Sequence, residues 1–305
     1  MSVSIPPRAH SYRSPTFDTL EEWHGYLEQC QPSSHPELVV IGGGSGAGKS
    51  VFRHMLKELG IIQSESVSIT PELVRGLYPE LNKGDLKRHP EKELQNERRY
   101  YRYRNALVEN CLKRGVSVVL DDHGDNHEAL KELMEKVKSY HYETGYIGLF
   151  MTPDNYIQRL SDLGITNSKS RDFYFAAQTA AGFHDNFTEN ARLFDTTLLV
   201  ETDHNNLHVV AKYETENNEL KEVSKDERRM RRFEQSAHLL DYDPKKAVAE
   251  SPDSPGVVAK TWEAGEGVAN PEERLQDRLE ISPKVDWRSL AQKIIAARTQ
   301  GAKKA

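Results

Sequence analysis

Between Leu38 and Ser50 the chain has little conformational freedom. Four consecutive apolar residues, Leu38-Val39-Val40-Ile41, run through Gly42 into Gly43-Gly44-Ser45-Gly46-Ala47-Gly48-Lys49-Ser50. A short apolar run of this kind is the pattern of a strand buried on both faces. The eight residues from Gly43 satisfy G-x-x-x-x-G-K-[ST], and Val51, Met55, Leu56 and Leu59 continue at helical spacing, with Gly60 placed to cap. Strand, glycine loop and helix in direct succession form a phosphate-binding unit. The glycines let backbone N–H groups turn inward around phosphate oxygens, and the helix N-terminus adds partial positive charge. Every residue from Gly43 to Ser50 is expected to contact the phosphates of ATP. Lys49 would reach the β- and γ-phosphates, and the Ser50 hydroxyl would ligate Mg²⁺.

The alternation continues. Val67 and Ile69 suggest a second strand, and Thr70-Pro71-Glu72 reads as an N-cap, a proline at the first helical position and an acid in the first turn. A long helix is predicted over about 91–113. A strand from Val116 to Leu120 then ends in Asp121-Asp122, and Leu130, Leu133, Met134 and Val137 form a helical stripe. Tyr146 to Met151 reads as a strand, and Thr152-Pro153-Asp154 repeats the capping pattern. Phe173, Ala176, Ala180, Phe183 and Phe187 space out a helix, and Thr196 to Val200 a further strand. The fold class is therefore α/β, with a mostly parallel P-loop NTPase-type sheet and helices on both faces.

Three segments are expected. Residues 1–34 are a flexible terminus and a short helix carrying Phe17, Leu20, Trp23 or His24, and Leu27. Residues 35–215 hold the P-loop domain, and 216–305 a mainly helical C-terminal extension. In the tail, Asp203-His204-Asn205-Asn206 could turn into a strand from Leu207 to Tyr213. Ser224-Lys225-Asp226-Glu227 reads as a capping box before Met230, Phe233, Ala237 and Leu240. Residues 251–272 read as a loop and 286–298 as a last helix.

Composition narrows the chemistry. Lys plus Arg number 41 and Asp plus Glu 47, a formal charge of −6, which argues against a nucleic-acid or anionic membrane coat. No apolar run approaches the length of a membrane span, and the N-terminus has no apolar secretory core. Two cysteines, Cys30 and Cys111, fit a reducing compartment, so the protein is expected in a cytoplasm, its own or that of a host cell.

Asp121-Asp122-His123-Gly124 and Asn82-Lys83-Gly84-Asp85 imitate guanine-nucleotide motifs, but in reversed order and without a buried strand before Asn82. A small-molecule kinase fits better. It needs an acid to accept the substrate hydroxyl proton and cations to neutralise the migrating phosphoryl group, both at the carboxyl ends of strands. Glu72 and Asp121 stand there; Asp121 would also hold Mg²⁺ with Ser50. Glu72 fits equally well as an acid favoured by the helix dipole. Arg159, and Arg171 beyond the lid-like polar segment 164–170, could clamp phosphates or simply face solvent. The run Arg98-Arg99-Tyr100-Tyr101-Arg102-Tyr103-Arg104 interleaves basic and aromatic residues, but a helix scatters it around its circumference. Arg98, Arg102 and Asn105 share one face, toward an anionic substrate or toward solvent.

These residues resemble the zeta-toxin family of bacterial P-loop kinases over about 37–205. The likeness rests on the phosphate loop, Thr70-Pro71-Glu72-Leu73-Val74-Arg75 with Leu77-Tyr78-Pro79, Val118-Val119-Leu120-Asp121, Met151-Thr152-Pro153, Arg159 and Arg171. The resemblance implies that Glu72 is the catalytic base and that Asp121 ends a Walker-B-like strand. It makes Lys49, Arg159 and Arg171 the cations on the phosphoryl group. It places Tyr101, Arg102, Asn105, Asp122 and His123 around the acceptor. Asn105 stands where zeta toxins have an acid for the amino sugar of UDP-N-acetylglucosamine, and Asp122-His123 replaces a small residue and Thr. The acceptor implied is a nucleotide-type metabolite, a sugar nucleotide or a dinucleotide such as NAD, in a toxin or effector held by a small antitoxin or chaperone-like inhibitor. The alternatives are a P-loop regulatory ATPase and a kinase of nucleic-acid ends.

Overall fold

A computed structural model describes residues 17–236, apart from 59–60, 64, 83–89, 163, 165–170, 203–206 and 218. The expectations for the N-terminal 16 residues, the Gly60 cap, most of the lid segment, the Asp203–Asn206 turn, Ala237, Leu240, the 251–272 loop and the last helix lie outside these residues.

Seven strands form one sheet in the order β2-β3-β1-β4-β5-β6-β7. The strands are β1 (Glu37–Gly42), β2 (Val67–Ile69), β3 (Val118–Asp121), β4 (Glu143–Phe150), β5 (Thr196–Thr202), β6 (Leu207–Glu216) and β7 (Glu219–Lys225). The first five are parallel, and β6 and β7 extend the sheet antiparallel from β5. The strand side chains alternate between two cores. Leu38 and Val40 of β1 join one cluster and Val39 and Ile41 the other, so β1 is buried on both faces.

The larger core lies under α1 (Leu20–Gln29), α3 (Pro71–Leu77), α4 (Pro90–Lys113), α5 (His127–Lys138), α7 (Arg171–Ala191) and α8 (Glu227–Ser236). These contribute Trp23, Val74, Leu107, Leu133, Phe183 and Phe233 respectively. The opposite face is covered by α2 (Lys49–Glu58) through Phe52, Met55 and Leu56. A third cluster joins α6 (Pro153–Asp162) to α7 through Tyr156, Leu160, Ala176, Ala177 and Ala180. Helices thus cover both faces, unevenly. On α1 it is Trp23 and not His24 that enters the core, with Phe17 edge-on to its ring at 5.6 Å.

The tail departs from expectation. Residues 219–225 are a strand, so the boundary expected at 215 falls at the end of β6 and inside a continuous hairpin. Ser224 is not a helix cap, because it pairs with Lys212 in the ladder. Asp226 caps α8 instead, accepting from Arg228 N and Arg229 N at 3.1 Å. α8 then lays Phe233 against Phe150, Phe187 and His184, with ring centroids at 5.0, 5.3 and 4.3 Å. Both oxygens of buried Glu201, at the end of β5, take Arg229 and Arg232 from the same helix. Phe233→Ala should therefore cost about 3–5 kcal/mol of stability through a cavity in the shared core. The urea midpoint would fall at unchanged slope; a loss under about 1 kcal/mol would mean that α8 packs independently of the core.

Candidate active site

The site is built at the carboxyl ends of β1 and β3. Parallel pairing sets Ile41 beside Asp121, and the contact continues past the strands. Asp122 N donates to Ile41 O at 3.0 Å and Gly43 N to His123 O at 3.2 Å. The loop after β3 is thereby fastened to the root of the phosphate loop. At Gly43 φ is +145°, and an added Cβ would sit 2.5 Å from Leu149 O, so only glycine fits.

The phosphate loop is held from behind by two helices. Ser45 N donates to Thr179 Oγ1 of α7 at 3.0 Å, and Tyr156 of α6 donates its hydroxyl proton to Ser45 O. A Cβ on Gly44 would meet Ala180 Cα at 2.9 Å. Lys49 is buried at the start of α2 and curls back, donating to Gly43 O at 2.6 Å and to Gly44 O at 3.0 Å. Burial lowers its pKa from the usual lysine value, against the opposing field of Asp121, Asp122, Asp125 and Glu72.

A cleft of about 210 Å³ opens over the loop. Lys49, Ser50, Glu72, Arg75, Asp121, His123, Arg159 and Phe175 line it with the loop backbone. Thr70 caps α3, its hydroxyl accepting from Leu73 N at 3.2 Å, and Pro71 opens the helix, so Glu72 projects from the first turn. Asp121 forms a buried ion pair with Arg53 of α2 through Oδ2, while its Oδ1 accepts no hydrogen bond. Burial raises the Asp121 carboxyl above its usual range, opposed by Arg53 and Lys49. The His123 ring stands edge-on to Phe175 at 5.5 Å. Burial, with Lys49, Arg75 and Arg104 nearby, holds His123 well below its ordinary pKa and therefore neutral.

The acceptor set expected on α4 and just after β3 is distributed differently. Of Tyr101, Arg102, Asn105, Asp122 and His123, His123 alone is among the cleft-lining residues. Tyr101 is buried and donates to Asp125 Oδ1 at 3.2 Å. Asp125, half-buried near Asp122, has its pKa pushed up to about 6, chiefly by desolvation. Asp122 pairs with fully buried Arg104 and accepts from Gly124 N at 2.5 Å. Asn105 takes two Arg104 nitrogens at 3.0 and 2.8 Å. Arg102 is exposed. The reason is geometric: α4 turns the Tyr101–Arg104–Asn105 side toward β3 and α5, and the opposite side toward solvent. Arg171 is the first residue of α7, and its side chain lies outside the described residues.

Arg53, Tyr156, Phe175 and Thr179 have no role in the sequence reading, and Arg75 enters it only as the end of the Thr70–Arg75 motif, with no role of its own. Two had a readable signal. Arg53 is one helical turn from Lys49, and Arg75 is three residues from Glu72, so each shares a face with an expected site residue.

Strand, phosphate loop, buried lysine and an acid at the neighbouring strand end define a P-loop nucleotide-binding protein of α/β fold. Residues 21–162 match the zeta toxin family model, so the resemblance read from the motif residues holds over the segment carrying the loop, Glu72, Asp121 and Arg159. No match is found among curated proteins. Among solved structures, the chain is similar to one from the PezAT chromosomal toxin–antitoxin system of Streptococcus pneumoniae. The identity is 17%, the TM-score 0.44, and the match covers 86% of this chain and 91% of that one. It is also similar to the native AvrRxo1-ORF1:-ORF2 complex, at 12% identity and TM-score 0.48, over 86% and 88%. The AvrRxo1-ORF1:-ORF2 structure with ATP gives 11% and 0.45, over 89% and 82%. Among the described residues no helix is long and apolar enough to cross a membrane.

Proposed function

We propose that the protein is an ATP- and Mg²⁺-dependent phosphotransferase that phosphorylates a hydroxyl of a nucleotide-type metabolite and acts as a toxin or effector. The observation that carries this reading is one cleft lined by Lys49, Ser50, Glu72, Asp121 and Arg159 at the N-terminus of α2. The residues fit a metal: Asp121 Oδ1 is buried without a hydrogen-bond donor, and exposed Ser50 lines the same cleft. Bound there with the nucleotide, Mg²⁺ would neutralise charge on the phosphates. Lys49 would leave the loop carbonyls for the phosphates. Glu72 would take the proton of the attacking hydroxyl as its oxygen bonds to the γ-phosphorus and ADP departs. Arg159 would balance the charge of the transferring group, with Arg171 joining it from α7. Neutral His123 would offer the acceptor a hydrogen-bonding edge without adding positive charge.

Asn105, bonded to Arg104, is not free to take the place of an amino-sugar-binding acid, which favours an acceptor other than UDP-N-acetylglucosamine. A small inhibitory partner is part of this reading, on the strength of the family match. Incubation of the purified protein with γ-labelled ATP, a metabolite extract, UDP-N-acetylglucosamine and NAD in separate reactions tests it. Label is expected in a nucleotide-type metabolite. Label appearing in free phosphate alone would replace the kinase with a P-loop ATPase.

A further inference from the structure

Arg53 lies one turn beyond Lys49 on α2, on the side facing β3. It is 3% exposed, and its Nη1 donates to Asp121 Oδ2. Asp121 is 1% exposed and lines the cleft, yet its Oδ1 accepts nothing. A buried carboxylate oxygen without a donor is costly, so the arrangement asks for a ligand on that side. Arginine remains charged under all ordinary conditions, and burial confines its guanidinium. Oδ2 is therefore occupied, and Oδ1 is the oxygen that this cleft-lining residue has left without a partner.

We propose that Arg53 is a positioning residue that restricts Asp121 to one oxygen toward the nucleotide-bound cation and thereby sets a preference for Mg²⁺ over Ca²⁺. The proposal rests on the reading above, in which a metal–nucleotide complex occupies the cleft. Mg²⁺ is small and octahedral, keeps several waters, and needs one or two carboxylate contacts beside the phosphates. A single oxygen from Asp121 and the Ser50 hydroxyl suit it. Ca²⁺ takes six to eight oxygens and readily uses a carboxylate through both. With Oδ2 capped by Arg53, that two-oxygen mode is closed. Lys49, Glu72 and, further along α2, Lys57 also act on this carboxylate through their charge.

The test uses calorimetric titration of the full chain with the non-hydrolysable ATP analogue AMP-PNP in Mg²⁺ or in Ca²⁺, with no turnover. The wild type is expected to bind more tightly in Mg²⁺. In Arg53→Gln that ratio should shrink by about tenfold or more, the scale on which outer-shell partners of metal ligands act, with the gain appearing in Ca²⁺. An unchanged ratio overturns the proposal, since loss of packing alone weakens both complexes together. A measurement on the wild type covers the case in which the variant does not fold. In ¹⁵N-arginine-labelled protein the Arg53 guanidinium should show hindered rotation both with and without Mg²⁺–AMP-PNP; free rotation in the loaded state overturns the proposal. If the wild type binds AMP-PNP with neither cation, the nucleotide reading itself fails and the proposal falls with it.

Discussion

Lys49→Ala is expected to weaken ATP binding and lower turnover together, by roughly 10²–10³-fold in turnover, the loss that follows removal of one preorganised donor to developing charge. The structure explains why both quantities should move. The ammonium sits buried under the loop on Gly43 O and Gly44 O, within the reach of incoming phosphates, and its burial is unfavourable until an anion arrives. It serves ground and transition states alike, so a fluorescent ATP analogue and a turnover assay should report the same direction. The fold should not suffer, because the Arg53–Asp121 pair and the Tyr156 and Thr179 bonds that hold the loop remain. An alanine variant that binds the analogue with wild-type affinity would show that the cleft does not take the phosphates at Lys49.

Glu72→Gln should separate the two quantities. The amide keeps the shape of the side chain and removes the basic oxygen. Turnover should fall by roughly 10²–10⁴-fold, the contribution of a positioned general base, while the analogue binds almost as before. Glu72 is on the open side of the cleft, in the first turn of a helix whose start is fixed by Thr70 and Pro71. Asp121 is occupied by Arg53. If Glu72→Gln kept most of its activity, the proton would have to go elsewhere, and Glu72 would be an acid at a helix N-terminus and nothing more.

The parts of the molecule that were legible in the sequence are those where one physical requirement overrides the rest. A strand buried on both faces must be apolar throughout, so β1 was plain, and the glycines after it admit few backbones. Thr70-Pro71 marks a helix start by local chemistry, so Glu72 could be placed without the tertiary fold. β7 was missed for the opposite reason. Glu-Leu-Lys-Glu-Val-Ser-Lys carries little apolar alternation, and the strand exists because β6 offers it a hairpin partner at the sheet edge. The surroundings of the acceptor candidates on α4 were harder to read. The run of arginines and tyrosines has no apolar stripe to say which side is inner, and a fully buried arginine runs against hydropathy. The inward side continues the buried stripe of Leu107, Val108, Cys111 and Leu112, and Asp122, some twenty residues away, gives Arg104 a counter-charge there. Arg53 was hidden in the same manner, since its partner comes from another strand.

The Arg104–Asp122 pair has a consequence for how such a chain can change over time. Removing either partner alone strands a charge in the interior, a loss of several kcal/mol, whereas replacing both with apolar residues of matching volume can be neutral. No path of tolerated single steps easily connects the two states. Tyr101 flanks the guanidinium at 4.7 Å and Asn105 accepts from it, so a double change would also leave these two to repack. The four residues are therefore coupled, and a concerted exchange is energetically easier than any single substitution among them.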